Sequence, residues 1–147
     1  RIAHQLWSDG SHNLALAIKA TTGRCLGTDI HPAATIGKGF WLDHGLGFVM
    51  GETAVIEDDV SIWHNVTLGS TLTHSDSIRH PRIQQGAVIG AGATVLGNIT
   101  IGAGAVIAAG AIVLNDIPPG RVAVGYKAQL GGQAQVSYMV QDKQESS

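Results

Sequence analysis

From Ile30 onward the large aliphatic residues keep a beat of six. They stand at Ile30, Ile36, Leu42 and Phe48, then at Ile56, Ile62 and Leu68, and resume at Ile83, Ile89, Val95, Ile101, Ile107 and Val113. The beat breaks twice, with an eight-residue step assigned to Gly51–Val55 and a long polar gap over 69–82. Four places after most of these residues stands a second small or apolar one: Ala34, Phe40, Leu46, Val60, Val66, Ala87, Ala93, Ile99, Ala105 and Ala111. An amphipathic helix would repeat at three, four and seven, which this pattern lacks. A beat of six suits a short flat strand followed by a tight corner, where Gly, Asn and Asp take backbone angles that other residues avoid. Three such sides close a triangular coil of about 18 residues, and stacked coils form a parallel β-helix. The expected stacks are Ile83 on Ile101, Ile89 on Ile107 and Val95 on Val113.

Outside the repeat the pattern changes. In residues 1–25, Ile2, Leu6, Leu14, Ala17 and Ile18 fall at helical spacings, with a break at Asp9-Gly10-Ser11. This predicts a helical lead-in of two short helices or one interrupted helix. Residues 26–132 form the β-helix, with 69–82 thrown out from one corner as a loop, and 133–147 are expected to form a loosely ordered tail. The chain begins with Arg, so an N-terminal part of the natural protein is expected to be missing, with the lead-in as its remnant.

Composition narrows the picture. Twenty glycines and only 14% charged residues would by themselves suggest disorder, but 44% hydrophobic content supplies a core. A net charge of -2 gives no electrostatic reason to expect nucleic acid or an anionic membrane as a partner. There is neither a membrane-length apolar run nor a signal-peptide pattern. Cys25 is the single cysteine, which fits a reducing compartment and a cytoplasmic location.

The densest candidate chemistry lies in "DIHPAATIGKGFWLDHG", residues 29–45. A narrow coil interior leaves polar side chains at corners or pointing outward, and Asp29, His31, Asp43 and His44 all fall off the apolar beat. Asp29 and His44 are separated by slightly less than one such coil, so successive coils would place them on the same side. Coils are separated by roughly 4.8 Å, so the two side chains are expected to meet. A carboxylate on one ring nitrogen would fix the tautomer and leave the other as a base. Arg79 and His80 add a cation and a second imidazole at the end of the loop. His4, His12, His64 and His74 have no spacing that favours a metal site, and none is expected. The glycines follow the repeat rather than a phosphate-binding fingerprint.

The segments "DIHPAATIGKGFWLDHGLGFVMGETAVIEDDVSIWHNVTLG" and "RHPRIQQGAVIGAGATVLGNITIGAGAVIAAGAIVLNDIPPG" resemble serine O-acetyltransferase of cysteine biosynthesis. That family belongs to the hexapeptide-repeat acyltransferases, with a left-handed β-helix. The match covers about residues 29–120, and the lead "RIAHQLW" is similar to the helix that precedes the family's β-helix. The resemblance implies that His44 takes the proton of the serine hydroxyl as it attacks the thioester of acetyl-CoA. It implies that Asp29 orients His44. Asp43, Arg79 and His80 would hold the amino acid, its ammonium against the carboxylate and its carboxylate against the arginine. The pantetheine arm of the co-substrate would lie along Gly69, Ala91 and Ala109, with Lys127 near the CoA phosphates. A homotrimer with sites between subunits is implied, pairing into a dimer of trimers where an N-terminal helical domain exists.

Three departures from the family pattern stand out. The loop reads "STLTHSDSIRHP", one residue longer than usual, with Ile78 where the family has Asp before Arg-His-Pro. The C-terminal "GYKAQ" replaces Gly-Val-Pro-Ala followed by Arg or Lys, so Gln129 stands where the family has a cation. The ending Glu145-Ser146-Ser147 lacks the terminal isoleucine through which the family often binds its sulfhydrylase partner, so that partner is not expected. An alternative acceptor is a sugar or polysaccharide hydroxyl. An alternative of another class is a non-catalytic β-helix scaffold, which would have no need of Asp29 and His44 together.

Overall fold

The computed structural model describes residues 1–72 and 77–132. The tail at 133–147 therefore lies outside the described residues, as does part of the 69–82 loop. Two helices lead, α1 (Ile2–Ser8) and α2 (His12–Leu26), separated at the Asp9-Gly10-Ser11 break. Fourteen short strands follow among the described residues: β1 (Asp29–Ile30), β2 (Thr35–Ile36), β3 (Trp41–Leu42), β4 (Val49–Met50), β5 (Val55–Ile56), β6 (Ser61–Ile62), β7 (Thr67–Gly69), β8 (Arg82–Ile83), β9 (Val88–Ile89), β10 (Thr94–Leu96), β11 (Thr100–Ile101), β12 (Val106–Ile107), β13 (Ile112–Val113) and β14 (Val122–Ala123).

Strands three apart in the chain stack on one another, except that β14 stacks on β12, giving three parallel sheets that form the sides of a prism. The first side is β1-β4-β7-β10-β13, the second β2-β5-β8-β11 and the third β3-β6-β9-β12-β14. Backbone N–H groups of one coil donate to carbonyls of the next, as from Val49 to Val66 at 2.9 Å and from Thr67 to Ala93 at 3.0 Å. The expected stacks Ile83–Ile101, Ile89–Ile107 and Val95–Val113 are all present. Each inward Ile, Val or Leu is joined in the core by the residue two places before it: Ala54 with Ile56, Val60 with Ile62, Val66 with Leu68. The β-branched residues that dominate these strands suit a pleated wall packed on one side.

The structure corrects the beat at one point. Met50 pairs with Ile30 and Leu68, so it is the residue in step, and the equally buried Phe48 occupies the accompanying position. The eight-residue step therefore runs from Leu42 to Met50 rather than across Gly51–Val55. Leu46, which the beat assigns to the interior, is 61% exposed. The two extra positions lie in the corner that holds His44. They make the first coil longer than later ones: Asp29 pairs with Val49, whereas Thr94 already pairs with Ile112.

The helices lie against the first coil. Ala15 of α2 is fully buried, Arg1 donates to the carbonyls of Ile36 (2.8 Å) and Gly37 (2.6 Å), and His4 Nδ1 lies 2.8 Å from the Pro32 carbonyl. Among the described residues, no helix is long and apolar enough to cross a membrane.

Candidate active site

Two polar clusters flank the first sheet, one at each of its edges. The first occupies the corner between β3 and β4. There His44 has φ +60°, a left-handed backbone uncommon outside glycine, and Gly45 and Gly47 follow at +72° and +71°. The Gly45 N–H donates to the Asp43 carbonyl at 2.7 Å, closing a tight bend that turns His44 outward, its side chain 70% exposed. The Asp43 N–H donates to the Ile62 carbonyl, anchoring the base of the bend on the next coil.

Within this corner the carboxylate beside His44 is Asp43, whose Oδ2 lies 3.3 Å from Nε2 of the imidazole. Spacing alone points to Asp29. That residue instead pairs with Lys19 of α2, Oδ1 to Nζ 2.6 Å. The difference has a geometric origin. The corner rests on Gly27, two places before Asp29, but α2 runs beside β1 and brings Lys19 to the Asp29 side chain.

The second cluster occupies the opposite edge, where the chain leaves β7 and returns to β8. A single hydroxyl organises it. Oγ1 of Thr53 accepts the backbone N–H groups of Arg79 (3.1 Å) and His80 (3.2 Å) and lies 2.9 Å from Nδ1 of His80. That Nδ1 also accepts the Thr53 N–H at 3.2 Å. It therefore carries no hydrogen, the Thr53 hydroxyl donates to it, and the neutral ring is protonated at Nε2. The His80 ring fits over Gly51, where a Cβ would collide with Nε2. At 8% exposure, His80 is nearly buried, and burial, reinforced by Arg79, pushes its pKa below the ordinary histidine value.

Arg79 pairs with Glu52, Nη2 to Oε2 2.5 Å, and this hydrogen bond holds the Glu52 carboxyl below its usual range. Arg79 keeps further N–H groups with which to meet a second anion. His31 belongs to the same edge. Burial lowers its pKa, with Glu52 opposing the shift, and its ring lies edge-on to Trp7 at 5.0 Å.

The register also sorts the residues assigned to the acyl donor. Ala91 and Ala109 stack in the corner above His44, since Ile62, Ile89 and Ile107 are in step. A Cβ on Gly125 would lie 3.5 Å from the Gly110 carbonyl, so the chain passes close to that corner, and the exposed Lys127 lies just beyond. Gly69 does not join them; it ends β7 on the other edge of the sheet. Its coil runs all the way from Thr67 to Thr94, a length that the spacing argument does not resolve into corners.

Sequence alone does not single out Glu52, Thr53 and Gly51 for this network, although "GETAVI" is part of the resemblance. Their partners lie some 27 positions away. A cavity of about 680 Å³ between the helices and the first coil includes neither His44 nor Arg79. Among the described residues, no group of three or more His, Cys, Asp or Glu side chains is placed to hold a metal ion.

Comparison with known proteins agrees with this architecture. Residues 80–115 match the family model "Bacterial transferase hexapeptide (six repeats)". The repeat over these residues is that of the hexapeptide transferases, and the chain has the left-handed parallel β-helix of that class. Within the class, its resemblance to serine acetyltransferases is borne out. Serine acetyltransferase 2 of Arabidopsis thaliana is 54% identical over 130 residues, covering 88% of this chain and 40% of that protein. Soybean serine acetyltransferase, solved in complex with serine, superposes with a TM-score of 0.82 at 53% identity, covering 89% of this chain and 54% of the other. The Brucella abortus serine acetyltransferase, solved with coenzyme A, gives 0.83 at 46% identity, covering 93% and 54%. The chain thus spans about half the length of the relatives it matches.

Proposed function

We propose that this chain is the β-helix portion of an acetyltransferase that moves the acetyl group from acetyl-CoA to the hydroxyl of L-serine. The observation that carries the proposal is the pairing of an exposed, carboxylate-flanked His44 with a cation-bearing Arg79–His80 cluster, on a chain so similar to serine acetyltransferases. His44 takes the hydroxyl proton as the serine oxygen bonds to the thioester carbonyl carbon. The carbon–sulfur bond then breaks, and the proton passes from the imidazolium to the departing thiolate. Asp43 stands beside the ring and faces the substrate ammonium, while Arg79 and His80 take its carboxylate. Asp29 shares in orienting His44 when its side chain leaves Lys19. The pantetheine arm follows Ala109 and Ala91 toward His44, and Lys127 faces the CoA phosphates.

One protomer holds the two clusters at opposite edges of its first sheet, on the order of 15 Å apart for a four- to five-residue strand span. A neighbouring copy that brings its Arg79–His80 edge to the His44 corner completes the site, and a homotrimer does this three times. Thiol release from acetyl-CoA, measured with serine and with a panel of sugars, tests the assignment. Serine is the expected acceptor, and His44→Ala is expected to lower the rate by about 10²–10⁴. Thiol release with a sugar but not with serine would replace the acceptor, and none with either would leave a scaffold.

A further inference from the structure

We infer that His64 is a positioning residue for His44, an inference that rests on the proposed role of His44 as base. The register puts it there. Counted from the pairing of Leu42 with Ile62, His64 stands directly above His44, and Ala91 and Ala109 occupy the same place in the next two coils. The two imidazoles meet edge to face, with centroids 5.7 Å apart and planes at 72°.

His44 needs such a support. Its side chain is 70% exposed, and its carboxylate contact comes from the adjacent residue at 3.3 Å. A contact of that kind does not by itself hold an exposed ring in one orientation. His64 is the more enclosed of the two rings. Its carbonyl accepts the Gly92 N–H at 3.0 Å, and its Nδ1 is shielded from solvent with no hydrogen-bond partner among the described residues. An unsatisfied ring nitrogen is costlier than the alanine that the same corner carries at Ala91 and Ala109. The stack itself does not require an imidazole here, and what the ring adds is an enclosed surface packed against His44.

The test compares His64→Ala, His64→Phe and His64→Asn in acetyl transfer to serine, alongside thermal melts. Alanine at Ala91 and Ala109 shows that the corner accepts the small side chain. His64→Ala and His64→Asn are expected to lower kcat about tenfold, with KM for both substrates within twofold. His64→Phe, which keeps a ring edge against His44, should stay within threefold of the parent. An unchanged kcat in His64→Ala, a raised KM for acetyl-CoA at constant kcat, or a phenylalanine variant as slow as the alanine one would overturn the inference. Should the alanine variant not fold, the asparagine and phenylalanine variants carry the same comparison. If the parent transfers acetyl to no acceptor, the proposed function fails separately. Histidine-ring NMR then decides: ring-to-ring contacts between His44 and His64, with one His44 orientation that is lost in His64→Asn, uphold the inference, and their absence overturns it.

Discussion

Replacing Thr53 with valine removes one oxygen and keeps the shape of the side chain. That oxygen accepts two backbone N–H groups, from Arg79 and His80, and donates to Nδ1 of His80. A hydrogen bond of this kind contributes about 0.5–1.5 kcal/mol net, and an unsatisfied donor left behind costs about 1–3 kcal/mol. Three lost bonds at a half-buried position therefore destabilise the protein by about 2–4 kcal/mol. The loss is local to the return of the loop, so Arg79 and His80 should lose their fixed positions before the coils lose theirs. Urea unfolding reads the first effect, as a lower midpoint with an unchanged slope. The KM for serine reads the second and is expected to rise about tenfold, equivalent to about 1.4 kcal/mol of lost binding. Thr53→Ser keeps the hydroxyl and should recover most of both. A valine variant with the parent midpoint and parent KM would show that the hydroxyl organises nothing.

Three further outcomes are expected. Gly51→Ala places a methyl group against His80 Nε2, so weaker serine binding should accompany a largely intact circular dichroism spectrum; unchanged binding would mean that the His80 ring is not held there. His80 and His31 resist protonation in the folded chain, chiefly through burial, while in the unfolded chain they titrate near the ordinary 6.5. The unfolded state then binds more protons below that value, so urea midpoints should fall between pH 7.5 and 5.5, less so in His80→Gln, and a flat profile would contradict the assignment. If Asp29 serves His44, Asp29→Asn should lower kcat at least tenfold while Lys19→Met leaves it unchanged or higher; equal losses in both would make the pair a structural tie between α2 and β1.

The fold is legible because a β-helix writes its register directly into the chain. Ile83, Ile89 and Val95 each meet the residue one full coil further on, and few other architectures require that regularity. The beat cannot decide between Phe48 and Met50. Both are apolar and both are buried, so hydrophobicity gives the same signal for either, and the beat puts the extra positions one corner too late. The site is legible only in part. Asp29 does stand next to the corner that holds His44, since the Gly47 N–H donates to the Gly27 carbonyl, but the helix that supplies Lys19 to its carboxylate leaves no trace in the repeat. The Arg79–His80 pair stands out through resemblance. Thr53, which positions it, is an ordinary threonine until the long excursion of the chain brings it beside His80.

That excursion leaves the β-helix free to change at one edge alone. Val55 finds Arg82 in register although the whole loop lies between them, and the wall above and below continues undisturbed. The stretch between Gly69 and Arg82 can thus be lengthened, shortened or exchanged without moving His44, which belongs to another edge. On the proposed function, the edge that meets the acceptor's carboxylate and the corner that removes its proton are separate parts of one frame. Grafting a relative's loop onto this chain is therefore a route to new acceptors that leaves the proton-removing corner in place.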